Sequence, residues 1–149
     1  ADLIEDQDND IVVWSYRDNY TAHHNPNMYS WLEVDENNSI KKVNVKKFTG
    51  ENPVDEYAIV GTMFFRDKTV YNKSLIRLFE MNEKVNGEFY VDSLLNAAID
   101  LGYTVKNFEI DHYICWRTPN DLKTYRYWQE FFHKVDWHPY DYGKDYLTN

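Results

Sequence analysis

The sequence predicts an α/β protein, and three observations predict it. Apolar residues recur at helical spacing through Leu94, Leu95, Ala98, Ile99 and Leu101, with Asp92 read as the N-cap and Gly102 as the left-handed stop. The next run, Tyr103 to Trp116, is rich in β-branched and aromatic residues and reads as strand, broken near Asp111. Thr118, Pro119 and Asp121 then have the spacing of a capped helix start: a hydroxyl cap, proline in the first turn and an acid three residues on. Helix, strand and helix in succession gather polar groups at a strand end, where open α/β sheets hold their ligands.

The remaining elements follow in order. Ile11 to Tyr16 reads as a buried strand, and Asp18 to Met28 as a loop punctuated by Asn25-Pro26. Tyr29–Val34 and Ile40–Lys47 read as two strands of a β-hairpin, joined by the turn-forming run Asp35 to Ser39. A second polar loop, Thr49 to Glu56, leads into Tyr57–Phe65, a nearly continuous apolar strand that should be covered on both faces. Ser74 to Met81 is a short amphipathic helix, and the tail after His133 has no clear period. With 149 residues, 43% of them hydrophobic, a single domain is expected over 1–149.

Composition excludes several functions. Thirteen Tyr, eight Phe and five Trp predict an aromatic core and aromatic pockets. A formal net charge of −9 excludes a nucleic-acid binder, because little here would neutralise a phosphate backbone. The single cysteine, Cys115, sits in an apolar run, cannot form an internal disulfide and is expected to be a buried, inert thiol. That usage suits a reducing cytoplasm, and no apolar run approaches membrane-spanning length. No signal peptide is read at the start, and the opening Ala-Asp-Leu, without methionine, suggests a piece of a longer protein.

Few constellations carry chemistry. Glu88 and Asp92 could hold sugar hydroxyls or a divalent ion; the plainer reading makes Asp92 a cap and Glu88 a surface acid. Lys46 and Lys47 end a strand, where an ammonium could meet a phosphate or simply be solvated. Asp6, Asp8 and Asp10 alternate as in a calcium loop, but Ile11 stands at the glycine position and Arg17 at the terminal glutamate, so a solvated acidic turn is expected. His23 and His24 are adjacent and the other histidines lack ligand spacing, so no zinc site is indicated. Glycine-rich phosphate loops and the nucleophile elbow of hydrolases are absent from the sequence. From the residues alone, the chain is an acidic α/β domain with a possible polyol-phosphate pocket.

The order of several short motifs resembles the second half of a sugar-phosphate nucleotidyltransferase. They are Asn25-Pro26, Tyr29-Ser30, Val34-Asp35, Val45-Lys46-Lys47-Phe48, Tyr57 to Gly61, Gly87-Glu88, Asp92 and Trp116-Arg117-Thr118-Pro119, covering roughly Ile11 to Phe132. The resemblance implies a partial Rossmann-like mixed sheet flanked by helices, with the β-hairpin built in. It implies transfer of a nucleotidyl group from a nucleoside triphosphate to a sugar 1-phosphate, with Mg2+ present and pyrophosphate released. In that reading Lys47 is the catalytic candidate, contacting the sugar's phosphate. Gly61 lets the sugar approach the backbone, and Glu88, Asp92 and Tyr29 contribute to substrate binding.

Departures bear on the same sites. Lys46 stands where the family has a glutamate, Phe48 for a proline, Ser30 for a glycine and Arg117 for another glycine. Cys115 occupies the place of the family's second metal-binding aspartate, leaving Asp111, four residues earlier on the same strand face, as the metal candidate. The family's nucleotide-binding loop has no counterpart in the sequence. Two readings follow: part of an enzyme, inactive alone, or a non-catalytic sugar-phosphate-binding or interaction module that kept the fold. A sheet lacking its parent strands would expose an edge, so homo-oligomerisation or pairing with a missing N-terminal half is expected.

Overall fold

A computed structural model describes residues 9–18, 21–116 and 118–144. The chain divides into two compact units, Ala1–Tyr113 and Ile114–Asn149. The first is built on strands β1 (Ile11–Tyr16), β2 (Trp31–Val34), β3 (Ile40–Asn44), β4 (Tyr57–Phe65) and β5 (Val105–Glu109). Its helices are α1 (Thr21–His24), α2 (Lys68–Met81) and α3 (Val91–Asp100), with a 3-10 turn at Pro26–Met28. The second unit holds α4 (Pro119–Lys134) and a 3-10 turn at Tyr142–Lys144.

The five strands form one mixed sheet in the order β3-β2-β4-β1-β5, with β1 antiparallel to β4 and parallel to β5. Side chains alternate across the pleat, so the two faces of β1 enter different clusters. Ile11 and Val13 join Leu32, Ile40, Val43, Val105 and the α3 residues Leu95 and Ala98. Tyr16 lies with Trp31 and Ala58 among further aromatic side chains, and its ring stacks on Tyr113 at 4.2 Å. Helices α2 and α3 meet through Leu78, Leu94 and Ala97. This is the α/β architecture expected: a partial Rossmann-like mixed sheet with flanking helices and a β-hairpin.

The hairpin does not simply extend the sheet. Helix α3 takes its edge: Asn96 Oδ1 accepts from Val43 N at 2.8 Å, and Asn96 Nδ2 donates to Val43 O at 2.9 Å. The tip reaches β5, where Asn107 N–H donates to Asn38 O at 2.9 Å and the Lys106 ammonium donates to Asn37 O and Ser39 Oγ. At the turn itself the Asp35 carboxylate accepts from the N–H groups of Asn37 and Ser39 and pairs with Lys41 at 2.8 Å.

Several boundaries differ from the sequence reading. Strand β5 stops at Glu109 rather than running to Trp116, because its partner β1 has ended; the last bond is Ile110 N–H to Ser15 O. Asp111 and Cys115 therefore do not share a strand face, and Cys115 is half-buried outside any strand. Strand β4 is not covered on both faces, since Gly61 and Thr62 are exposed where a bulge interrupts its pairing with β1. Helix α2 starts six residues before the expected Ser74, at Lys68, because the Asp67 carboxylate caps it through Thr69 N and Val70 N. Residues 18–28, read as loop, include α1 and a 3-10 turn. Asp92 is not the N-cap of α3: Tyr90 occupies that place, with no side-chain cap bond.

Other expectations hold in detail. Gly102 has φ +82, and the bonds Gly102 N to Ile99 O and Tyr103 N to Ala98 O close α3 in a Schellman motif. Within the second unit, Thr118 and Asp121 form the capping box, and Trp128, Phe132 and His138 pack ring against ring. Asp6, Asp8 and Arg117 lie outside the described residues. Asp10, also part of that acidic turn, bonds to Thr104 N at 2.8 Å and pairs with Arg66.

Three outcomes test these contacts. Asn96→Leu leaves both Val43 backbone groups without their amide partner and is expected to lower stability by about 1–3 kcal/mol in urea unfolding. Gly61 has φ +108 with open space where a Cβ would project, so Gly61→Ala is expected to cost about 1–3 kcal/mol through backbone strain alone. The Asp35 carboxyl is held down to about 2, first by the Lys41 ammonium and then by Ser39 N–H, against an ordinary 3.8. A depressed folded value stabilises above the unfolded pKa and is lost as pH falls through the folded one. The stability gap between wild type and Asp35→Asn is therefore expected to be full above pH 3.8 and to close towards pH 2, read by thermal unfolding.

Candidate functional site

Strand β3 ends in a turn that only a few residue types enter readily: Lys46 has φ +52, the left-handed region. The turn aims its ammonium back across the chain, where Nζ donates to Met28 O at 2.6 Å and lies 5.7 Å from the centre of the Tyr90 ring. Two further bonds strap residues 26–28 to the hairpin. Phe48 N–H donates to Asn27 Oδ1 at 3.0 Å, and Trp31 Nε1 donates to Pro26 O at 2.8 Å. Asn25-Pro26, read as loop punctuation, opens the 3-10 turn that makes this strap.

Beside the strap, Ser30 is buried and its hydroxyl donates to Asp92 Oδ2 at 2.5 Å, while its carbonyl accepts from Ile59 N–H at 2.9 Å. Asp92 is the second residue of α3, in the first turn of the helix, where negative charge is favoured. Tyr29 precedes Ser30, with its ring 6.1 Å from that of Trp31. Lys46, Tyr90, Ser30 and Asp92 thus tie the end of β3, the start of β2 and the N-terminus of α3 together. Lys47 follows Lys46 and is exposed; among the described residues none pairs with its ammonium.

The other sequence candidates lie on other segments. Glu88 closes a two-residue hairpin with Val85, whose central residues Asn86 and Gly87 have φ +52 and +81, as a type I′ turn requires. Glu88 is exposed, and Phe89 beside it is held by Phe79 at 5.0 Å and by the Lys84 ammonium at 5.1 Å. Gly61 lies in the β4 bulge, where its positive φ is a reason for glycine independent of any ligand. Asp111 is exposed just beyond β5. Among the described residues no group of three His, Cys, Asp or Glu side chains could hold a metal ion. Asp111 belongs to no such group.

In the sequence Lys46 reads as a phosphate-meeting or solvated lysine and Ser30 as a departure from a family pattern; Tyr90 and Asn27 are not singled out. Asn86-Gly87 was a legible hairpin signal; the strap had none, because its bonds from Lys46 and Phe48 join positions 18 to 21 residues apart.

Comparison with known proteins supports the fold. No family model matches the chain, and no curated protein sequence matches it. Solved structures do. A nucleoside-diphosphate-sugar pyrophosphorylase from Vibrio cholerae RC9 superposes with a TM-score of 0.62 at 17% identity, over 80% of this chain and 47% of that one. A CMP:2-keto-3-deoxy-manno-octonic acid synthetase complexed with CTP gives 0.52 at 13% identity, over 87% and 53%. An inositol-1-phosphate CTP transferase from T. maritima gives 0.52 at 23% identity, over 87% and 49%. The chain spans about half the length of these structures. It shares the fold of part of these nucleotidyltransferases.

Proposed function

We propose that the chain is the sugar-phosphate-binding portion of a nucleotidyltransferase, completed by the rest of a longer polypeptide or by a partner. The observation that carries this reading is the strapped end of β3. Lys46 is anchored to Met28 O and the Tyr90 ring, which leaves the adjacent Lys47 ammonium open to solvent. A lysine free of internal partners on a braced backbone suits a phosphate as a point charge.

In the reaction, an oxygen of the sugar 1-phosphate attacks the α-phosphorus of a nucleoside triphosphate. The bond to the bridging oxygen breaks, and pyrophosphate leaves with its electron pair. Lys47 would neutralise the sugar's phosphate and Glu88 would accept from its hydroxyls. Tyr29 and Asp92 would shape the floor, Asp92 through Ser30. Positioning and charge neutralisation are the protein's main contributions to such a transfer. Magnesium, which the resemblance alone implies, would add charge neutralisation at the phosphates when bound. The acidic composition, single cysteine and α/β fold suit a cytoplasmic enzyme.

A second reading, a non-catalytic sugar-phosphate-binding module, is favoured by Cys115 in place of the family aspartate. Pyrophosphate release by the full-length gene product, with glucose 1-phosphate and each common nucleoside triphosphate, separates the two. On the enzyme reading, Lys47→Ala is expected to lower kcat/KM by about 10²–10³ with unchanged thermal stability. Binding of glucose 1-phosphate without pyrophosphate release from any triphosphate would favour the module.

A further inference from the structure

On the hairpin face turned away from Val43, which packs with α3, lies a cleft of about 240 Å³. Trp31 and Asn44 stand directly opposite each other in register there, and Glu33 follows Trp31 on the same side. Trp31 and Phe48, edge to face at 4.8 Å, make the apolar wall. Leu32, Thr49, Gly50 and Glu56 complete the lining.

The polar groups of the cleft are nearly all acceptors. Asn44 is 8% exposed, and its amide nitrogen donates to Glu33 Oε1 at 2.8 Å and to Thr49 Oγ1 at 3.0 Å. Those two bonds orient the amide and leave Asn44 Oδ1 without a partner among the described residues. Glu33 has one cation within reach, Lys42 at 3.6 Å. Among the described residues none pairs with the Glu56 carboxylate. It lies so close over Gly50 that an added Cβ would sit 2.5 Å from Glu56 Oε1. Glycine at position 50 therefore permits the placement of Glu56. Two carboxylates and an amide oxygen beside aromatic rings, with one lysine to balance them, call for a ligand that carries several N–H donors, a positive charge and a short apolar arm.

We propose that this cleft binds a small primary alkylammonium ion, whose N–H groups meet Asn44 Oδ1 and the Glu56 and Glu33 carboxylates while its methylenes lie on Trp31 and Phe48. A neutral polyol is less well matched, since the Thr49 hydroxyl would be the main donor offered to its oxygens. The proposal does not depend on the nucleotidyl-transfer reading. The test is titration of the isotope-labelled chain with n-butylammonium, following the Trp31 indole and Asn44 side-chain amide signals by NMR. A saturable shift of both is expected, with affinity at least about tenfold weaker in Glu56→Gln, which removes the charge and keeps the shape. Gly50→Ala, which displaces the Glu56 carboxylate, is expected to weaken binding similarly, and tetramethylammonium, which has no N–H, to give no saturable shift. Equal binding of tetramethylammonium, saturation by glucose but not by n-butylammonium, or no saturable shift with n-butylammonium would each overturn the assignment. Unchanged signals from the α2–α3 core show that a variant has kept its fold.

Discussion

One side chain does the work of a missing strand. Asn96 presents an amide oxygen and an amide nitrogen to the N–H and C=O of Val43, the two bonds a neighbouring strand residue would make. A buried backbone group left unmade would cost about 1–3 kcal/mol, so this pairing decides how α3 and the hairpin sit together. Asp92 lies one turn earlier on the same face of α3, because residues four apart are stacked along a helix. The two polar residues therefore act as a pair. Asn96 grips β3, and Asp92 grips Ser30 at the entrance to β2.

That clamp explains why the hairpin crosses rather than extends the sheet. Strand β2 pairs with β4 only through Trp31 and Leu32, then departs with β3. Its tip reaches β5, so the outermost strands on both sides of the sheet order are partly occupied from within the chain: β3 by Asn96 and β5 by Asn38. Occupied edge groups are poor templates for another strand. The bare edge expected from a half-sized sheet is thus partly blunted here. Association with a partner would need surfaces beyond simple edge pairing at these positions.

The same geometry divides the labour of two adjacent lysines. Lys46 is structural: a left-handed backbone, a bond to Met28 O and a ring face at Tyr90 hold it. Lys47 is left on a braced backbone, exposed. Exposed ion pairs elsewhere in the first unit, such as Lys42 with Glu33 at 3.6 Å, contribute little to stability because water screens them. The rigidity of the candidate site rests instead on short bonds to buried or half-buried partners, chiefly Ser30 to Asp92 and Trp31 to Pro26.

Sequence by itself determined what depends on neighbours within a few residues. The capping box of Thr118 and Asp121, the Gly102 helix stop, the hairpin turn at Asp35 to Ser39 and the buried strand β1 were all legible, because each is a local preference of backbone or side chain. The order of short motifs carried the fold class for the same reason. Tertiary structure alone decided where β5 ends, which lysine is anchored, which acid meets Ser30, and that Asn96 replaces a strand. Those outcomes join residues tens of positions apart, 62 for Ser30 with Asp92 and 53 for Val43 with Asn96. No local propensity encodes such a pairing. It arises only when burial brings unpaired polar groups together and leaves each the other as its nearest partner.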